Sequence, residues 1–166
     1  MSKLELLPNL CTAANLLLGV AAIAAVQNHN PRLSVILIIL AALLDRADGF
    51  LARRCNAVTL FGKEFDSLAD LVSFGVAPSA LVYSALQNSW PYLGLVCFAL
   101  FTLCGAYRLA RFNILSNPSF FLGVPITVAG ALMAIVIAIT ANPVVIISSA
   151  LFLSAAMAST VRIPKV

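Results

Sequence analysis

Two long stretches of this chain, residues 71–107 and 112–161, hold no Asp, Glu, Lys or Arg. A water-soluble domain carries ~25% charged residues over its surface, whereas this chain carries 10%. Its apolar share is 62% of 166 residues, which leaves too little polar surface to cover a globule in water. The chain is built for lipid, where a span takes ~20 mostly apolar residues. Apolar stretches can be drawn over residues 10–26, 33–44 and onward to 53, 65–86, 92–110, 122–140 and 144–160. The breaks carry turn formers: Asn28-His29-Asn30-Pro31, Gln87-Asn88-Ser89-Trp90-Pro91, Ser116-Asn117-Pro118 and Ala141-Asn142-Pro143. A spanning barrel would need alternating polarity, which is absent. The expectation is an all-α integral membrane protein with six transmembrane helices, forming one domain over residues 1–166.

Basic residues set the expected orientation, because cytoplasmic flanks carry the excess of Lys and Arg. With the N-terminus in the cytoplasm, that side receives Lys3, Arg46, Arg53, Arg54, Lys63, Arg108, Arg111, Arg162 and Lys165, and the other side only Arg32. Both termini are then cytoplasmic in a multi-pass protein of the cell membrane. Residues 1–26 carry Pro8, Asn9 and Asn15 and lead into further apolar stretches, so they read as part of the domain and not as a cleaved leader. Cys11, Cys55, Cys97 and Cys104 form no C-x-x-C pair and have no His nearby; they read as small apolar residues. His29 lies in a turn on the far side and receives no role. Trp90 and Tyr92 flank a helix start, where aromatics anchor at the interface.

The remaining charges are concentrated. Nine charged residues lie between positions 45 and 70, and four of them are aspartates. Asp cannot reach out of the membrane as Lys can, because its stem is short. Asp45, Asp48, Gly49, Ala52 and Arg53 fall at i, i+3, i+4, i+7 and i+8, which is one face of a helix. Gly62, Asp66 and Asp70 fall at i, i+4 and i+8, again one face. The eight residues between Arg53 and Gly62 are enough to turn the chain, so the second stripe returns beside the first and all four carboxylates meet. Acids so close in a low dielectric need cations. Hard divalent ions favour carboxylate oxygen, and a pair of them is the usual device for displacement at phosphorus. Gly49 and Gly62 leave room for a bulky phosphate or nucleotide. A structural ion-pair network, such as Asp66 with Arg53, explains one or two of these charges but not four acids on two stripes. A cation-transport path fits less well, since no internal repeat is seen and the acids sit near one surface.

The run Asp45-Arg-Ala-Asp48-Gly49-Phe-Leu-Ala52-Arg53, eight residues, then Gly62-Lys-Glu-Phe-Asp66-Ser-Leu-Ala-Asp70 resembles the signature of CDP-alcohol phosphotransferases at all eight of its fixed positions. Three further segments resemble the phosphatidylserine synthase branch of that family: Asp70-Leu-Val-Ser-Phe-Gly-Val-Ala-Pro78, Tyr107-Arg-Leu-Ala-Arg-Phe-Asn113 and Phe121-Leu-Gly-Val-Pro125. The resemblance implies a six-helix membrane domain that transfers the phosphatidyl group from CDP-diacylglycerol to the hydroxyl of L-serine and releases CMP. Glycerol 3-phosphate or an inositol phosphate is the alternative acceptor. It implies two divalent ions, Mg²⁺ or Mn²⁺ with Ca²⁺ as a further candidate, on Asp45, Asp48 and Asp66. Asp70 also faces the metals and is the expected general base.

By the same resemblance Asp48, Gly49, Ala52, Arg53 and Gly62 contact the CDP-lipid. Asn15, one turn from Thr12 on the first helix, is expected near the diphosphate or the metals, with an interhelical hydrogen bond as its alternative. Arg108 and Arg111 are the expected partners of the serine carboxylate or of the lipid phosphate. Glu64 is a candidate for the serine ammonium, and Ser73 for a substrate contact. Gly75 and Pro78 are expected to kink the third helix. The expected partners are CDP-diacylglycerol, L-serine and membrane lipids, with no nucleic acid, and the resemblance implies a homodimer.

Overall fold

The computed structural model describes the backbone of residues 3–54, 59–114 and 120–164, and side chains over 9–46, 59–114 and 123–161. Six helices run through it: α1 (Lys3–Gln27), α2 (Pro31–Arg54), α3 (Leu60–Leu86), α4 (Pro91–Ile114), α5 (Ile126–Ile139) and α6 (Pro143–Ala158). Three of the turn formers predicted from the sequence end helices, and the fourth, Ser116-Asn117-Pro118, lies outside the described residues. At the first turn His29 takes a positive φ of 56°, and the N–H of Asn30 reaches back to the Ala25 carbonyl, closing the end of α1. Asn142 caps α6 by accepting from the Val144 N–H.

Tight turns make α1 and α2, α3 and α4, and α5 and α6 antiparallel neighbours. The starts of α1, α3 and α5 therefore share one end of the bundle with the ends of α2, α4 and α6. Cross-helix contacts fix that arrangement. Ser73 donates to the Asn15 carbonyl at 2.9 Å, and Thr102 donates to Ser79 at 3.0 Å. The core is apolar and contains Ile38, Phe74, Leu81, Phe101, Ile126, Met133 and Ile146. The outside is equally apolar, with Leu17, Leu43, Leu103, Ile139 and Phe152 exposed. That pattern suits lipid around the bundle. Association in lipid cannot draw on the hydrophobic effect and depends on close backbone approach. Gly19 and Gly130 supply it: a Cβ on Gly19 would lie 2.7 Å from Ser73 Cα, and one on Gly130 would lie 2.6 Å from the Phe74 carbonyl oxygen.

The helices α1, α3 and α4 are long and apolar enough to cross a membrane. The last two are shorter, with 14 residues in α5 and 16 in α6. The apolar stretch drawn from residue 122 is corrected here. Leu122 lies in a strand, β1 (Phe120–Leu122), antiparallel to β2 (Arg162–Pro164), and α5 begins only at Ile126. Gly123, with φ of 72°, makes the turn between them and donates to the Val161 carbonyl. Pro125 then starts the helix, a position where its missing N–H costs nothing. Apart from this short strand pair the fold is all-α, as expected.

The expected kink in α3 falls on a change of winding. Residues Leu71–Val76 wind as a π-helix, and the Ala77 N–H bonds the Val72 carbonyl. Pro78 has no N–H to give and crowds the carbonyl four residues back, that of Phe74. A wider turn relieves both problems, and Gly130 of α5 leaves room for the displaced carbonyl. Short π segments of this kind commonly adjoin functional residues, and this one begins directly after Asp70.

Candidate active site

Thr59 starts the second acidic stripe. Its backbone is extended, and its hydroxyl accepts the Gly62 N–H at 3.0 Å. The helix then presents Gly62, Asp66 and Asp70 on one side. Gly62 faces Thr59 and Asn9 of α1, from which a Cβ would be 3.1 and 3.2 Å away. The glycine therefore serves a close approach of the α1 start as well as any ligand.

Asp45 of α2 and Asp66 and Asp70 of α3 converge. One carboxylate oxygen of each lies within 4.8 Å of the others. Asp45 also accepts a hydrogen bond from Thr127 of α5, at 3.3 Å, and its carboxylate lies beside that of Asp70. Asp70 is buried, at 8% exposure, and accepts from the Asn15 amide at 3.4 Å. Full ionisation of three acids at this spacing costs on the order of 3–4 kcal/mol per pair even at a generous effective dielectric. The donor set suits a hard cation. It is all oxygen, and the fully buried Asn15 Oδ1 has no partner among the described residues. These residues fit a divalent ion, and Asp45, Asp66 and Asp70 could hold one.

The other expected residues fall in three groups. Arg108 is buried, at 6% exposure, and its Nε has no partner among the described residues. Its guanidinium lies over the Phe112 ring, 5.7 Å from the centroid. Arg111 gives its donors elsewhere, bonding the carbonyls of Met157, Ala158 and Ser159 at the end of α6. That is a helix-end cap, which the sequence pattern did not suggest. Glu64 is exposed and accepts from the Asn113 amide at 3.2 Å. Ser73 is fully buried and spends its hydroxyl on the Asn15 carbonyl, fixing the backbone of the residue that touches Asp70. The side chains of Asp48, Gly49, Ala52 and Arg53 lie outside the described residues, although their backbone continues α2.

Sequence reasoning missed Thr127 and Asn113 as individual residues. Asn113 links α4 to α3 by bonding Glu64 and Ser67, and its carbonyl accepts from Lys63 at 3.3 Å. It ended a segment used only as a family mark. Thr127 lies just past another such segment, and no spacing ties it to Asp45.

The family model for CDP-alcohol phosphatidyltransferase matches residues 5–161, nearly the whole chain. The chain belongs to the CDP-alcohol phosphatidyltransferase family. Among its relatives, a Bacillus subtilis protein is 38% identical over 95% of this chain and 89% of its own length. One from Helicobacter pylori is 41% identical over 81% of this chain and 58% of its own length. One from Methanocaldococcus jannaschii is 42% identical over 78% of this chain and 62% of its own length. Each of these relatives is named CDP-diacylglycerol--serine O-phosphatidyltransferase. Within the family, the Asp45, Asp66 and Asp70 cluster accounts for three of the four signature acids.

Proposed function

We propose that this protein transfers the phosphatidyl group of CDP-diacylglycerol to the hydroxyl of L-serine, giving phosphatidylserine and CMP. The observation that carries the chemistry is the meeting of Asp45, Asp66 and Asp70 within 4.8 Å at one end of the bundle. The choice of serine is supported by the shared name of the relatives.

Asp45, Asp48, Asp66 and Asp70 would hold two divalent ions, Mg²⁺ or Mn²⁺. Bound there, the ions offset charge on the diphosphate and on the departing CMP. The chain's own residues do the rest. Asp70 accepts the proton of the serine hydroxyl as its oxygen bonds the phosphorus that carries the diacylglycerol. The bond from that phosphorus to the CMP oxygen breaks. A carboxylate is a weak base for an alcohol, so the proton leaves late, when positive charge has built on the attacking oxygen. Asn15 orients Asp70 through its amide, and Thr127 orients Asp45 through its hydroxyl. The buried Arg108 receives the serine carboxylate or the lipid phosphate as a rigid fork. Gly49, Ala52, Arg53 and Gly62 line the nucleotide's approach. The buried, water-poor setting strengthens each of these contacts.

The protein is multi-pass in the cell membrane, with six spans, a homodimeric assembly and both termini in the cytoplasm. Its acidic end faces the cytoplasm, where nine of ten Lys and Arg residues are found by this topology. The test is turnover by the purified full chain with CDP-diacylglycerol, labelled serine and Mg²⁺ or Mn²⁺. Phosphatidylserine and CMP are expected in equal amounts. CMP release with glycerol 3-phosphate but not with serine would overturn the acceptor, and no CMP with any acceptor would overturn the reaction.

A further inference from the structure

The end of the bundle away from the carboxylates holds a cavity of ≈650 Å³, within the ~300–1,000 Å³ typical of ligand pockets. Its walls come from the start of α2, the end of α3 and the turn between α5 and α6. Val35, Leu81 and Ile146 line it with apolar surface, and Arg32, Ser84 and Thr140 supply its polar part. Arg32 and Asp45 are 13 residues apart on α2, about 20 Å along the helix. The cavity is therefore separate from the acidic cluster.

Among the described residues no carboxylate lines the cavity beside Arg32. The sequence contains six carboxylate side chains: Glu5, Asp45, Asp48, Glu64, Asp66 and Asp70. All six lie toward the acidic end of α1, α2 or α3. Arg32 is exposed at the opposite end, where a guanidinium stays charged and offers five donors. Among the described residues no anion meets it, and the bilayer offers one. At the surface of a bilayer that anion is a lipid phosphate, which an Arg fork grips in two places. An apolar cavity beside it suits an acyl chain. A zwitterionic headgroup would also bring a cation to this end, with no acid among the cavity's lining residues to receive it.

We propose that this cavity binds an anionic phospholipid, with the phosphate on Arg32 and an acyl chain among Val35, Leu81 and Ile146. The site does not depend on the transfer reaction.

The test is lipid retention by the purified full chain, exposed to equal amounts of phosphatidylglycerol and phosphatidylcholine and read by native mass spectrometry. The wild type is expected to retain phosphatidylglycerol by roughly fivefold or more over phosphatidylcholine, the effect of one basic group at a lipid surface. Arg32→Gln is expected to bring the ratio close to one, and Arg32→Lys to restore part of it. Ala138→Trp, which fills the cavity from α5, is expected to lower retention of both lipids. Equal retention by the wild type, or an unchanged ratio in Arg32→Gln, would overturn the proposal. So would full retention in a folded Ala138→Trp protein.

Discussion

The two ends of α3 are built from the same helix and serve opposite purposes. At the start, Gly62, Asp66 and Asp70 meet polar side chains of α1 and α2. At the finish, Leu81, Val82 and Leu86 are buried in an apolar core, and an exposed Arg32 shares a cavity with Leu81. Burying acids in a membrane protein is costly, so they persist where chemistry needs them. An apolar end carries no such cost in lipid. The difference locates the reaction at one end more firmly than any single residue does.

Removing divalent ions with a chelator attacks that contrast most directly. CMP release is expected to fall to background and to return with Mg²⁺ or Mn²⁺, while lipid retention at the Arg32 end stays unchanged. Asp70→Asn is next: it keeps the shape but removes the base, and turnover is expected to drop by about 10²–10⁴-fold, with the elution profile of the folded protein preserved. Gly130→Leu tests the middle, where the two ends join. It forces a side chain onto the Phe74 carbonyl and is expected to cost about 1–3 kcal/mol, read as a lower melting temperature. Thr127→Val removes one hydrogen bond to Asp45, worth about 0.5–1.5 kcal/mol, and a drop of roughly two- to tenfold in kcat is expected. Arg32→Gln should leave CMP release within about twofold of wild type, since surface substitutions away from a site have small effects. A large loss of turnover there would erase the contrast between the ends.

Much of the site was legible because helical spacing is a property of sequence. Asp66 and Asp70, one turn apart, had to share a face, and the short connection from Arg53 had to bring Asp45 back to them. Helix ends were legible for the same reason, through Pro31, Pro91 and Pro143 at first turns. What could not be read was long-range and side-chain specific. Thr127 reaches Asp45 across 82 positions, and nothing in local periodicity encodes such a pairing. Arg111 looked identical in kind to Arg108 on α4, three residues away. Only packing separates them: Arg108 is buried over the Phe112 ring, and Arg111 turns to the carbonyls ending α6. The strand pair escaped notice because three-residue strands leave no alternation to detect, and Leu122 reads as apolar in either state.

The π-helical turn after Asp70 acts as a phase adjuster for α3. One additional residue is wound into that turn, so everything beyond Val76 is rotated by on the order of 100° from where an unbroken α-helix would carry it. The acidic stripe and the apolar stripe of α3 are therefore keyed to different clocks, set on either side of Leu71–Val76. Deleting a single residue there would leave both stripes intact as sequences, yet only one of them could still face its partners.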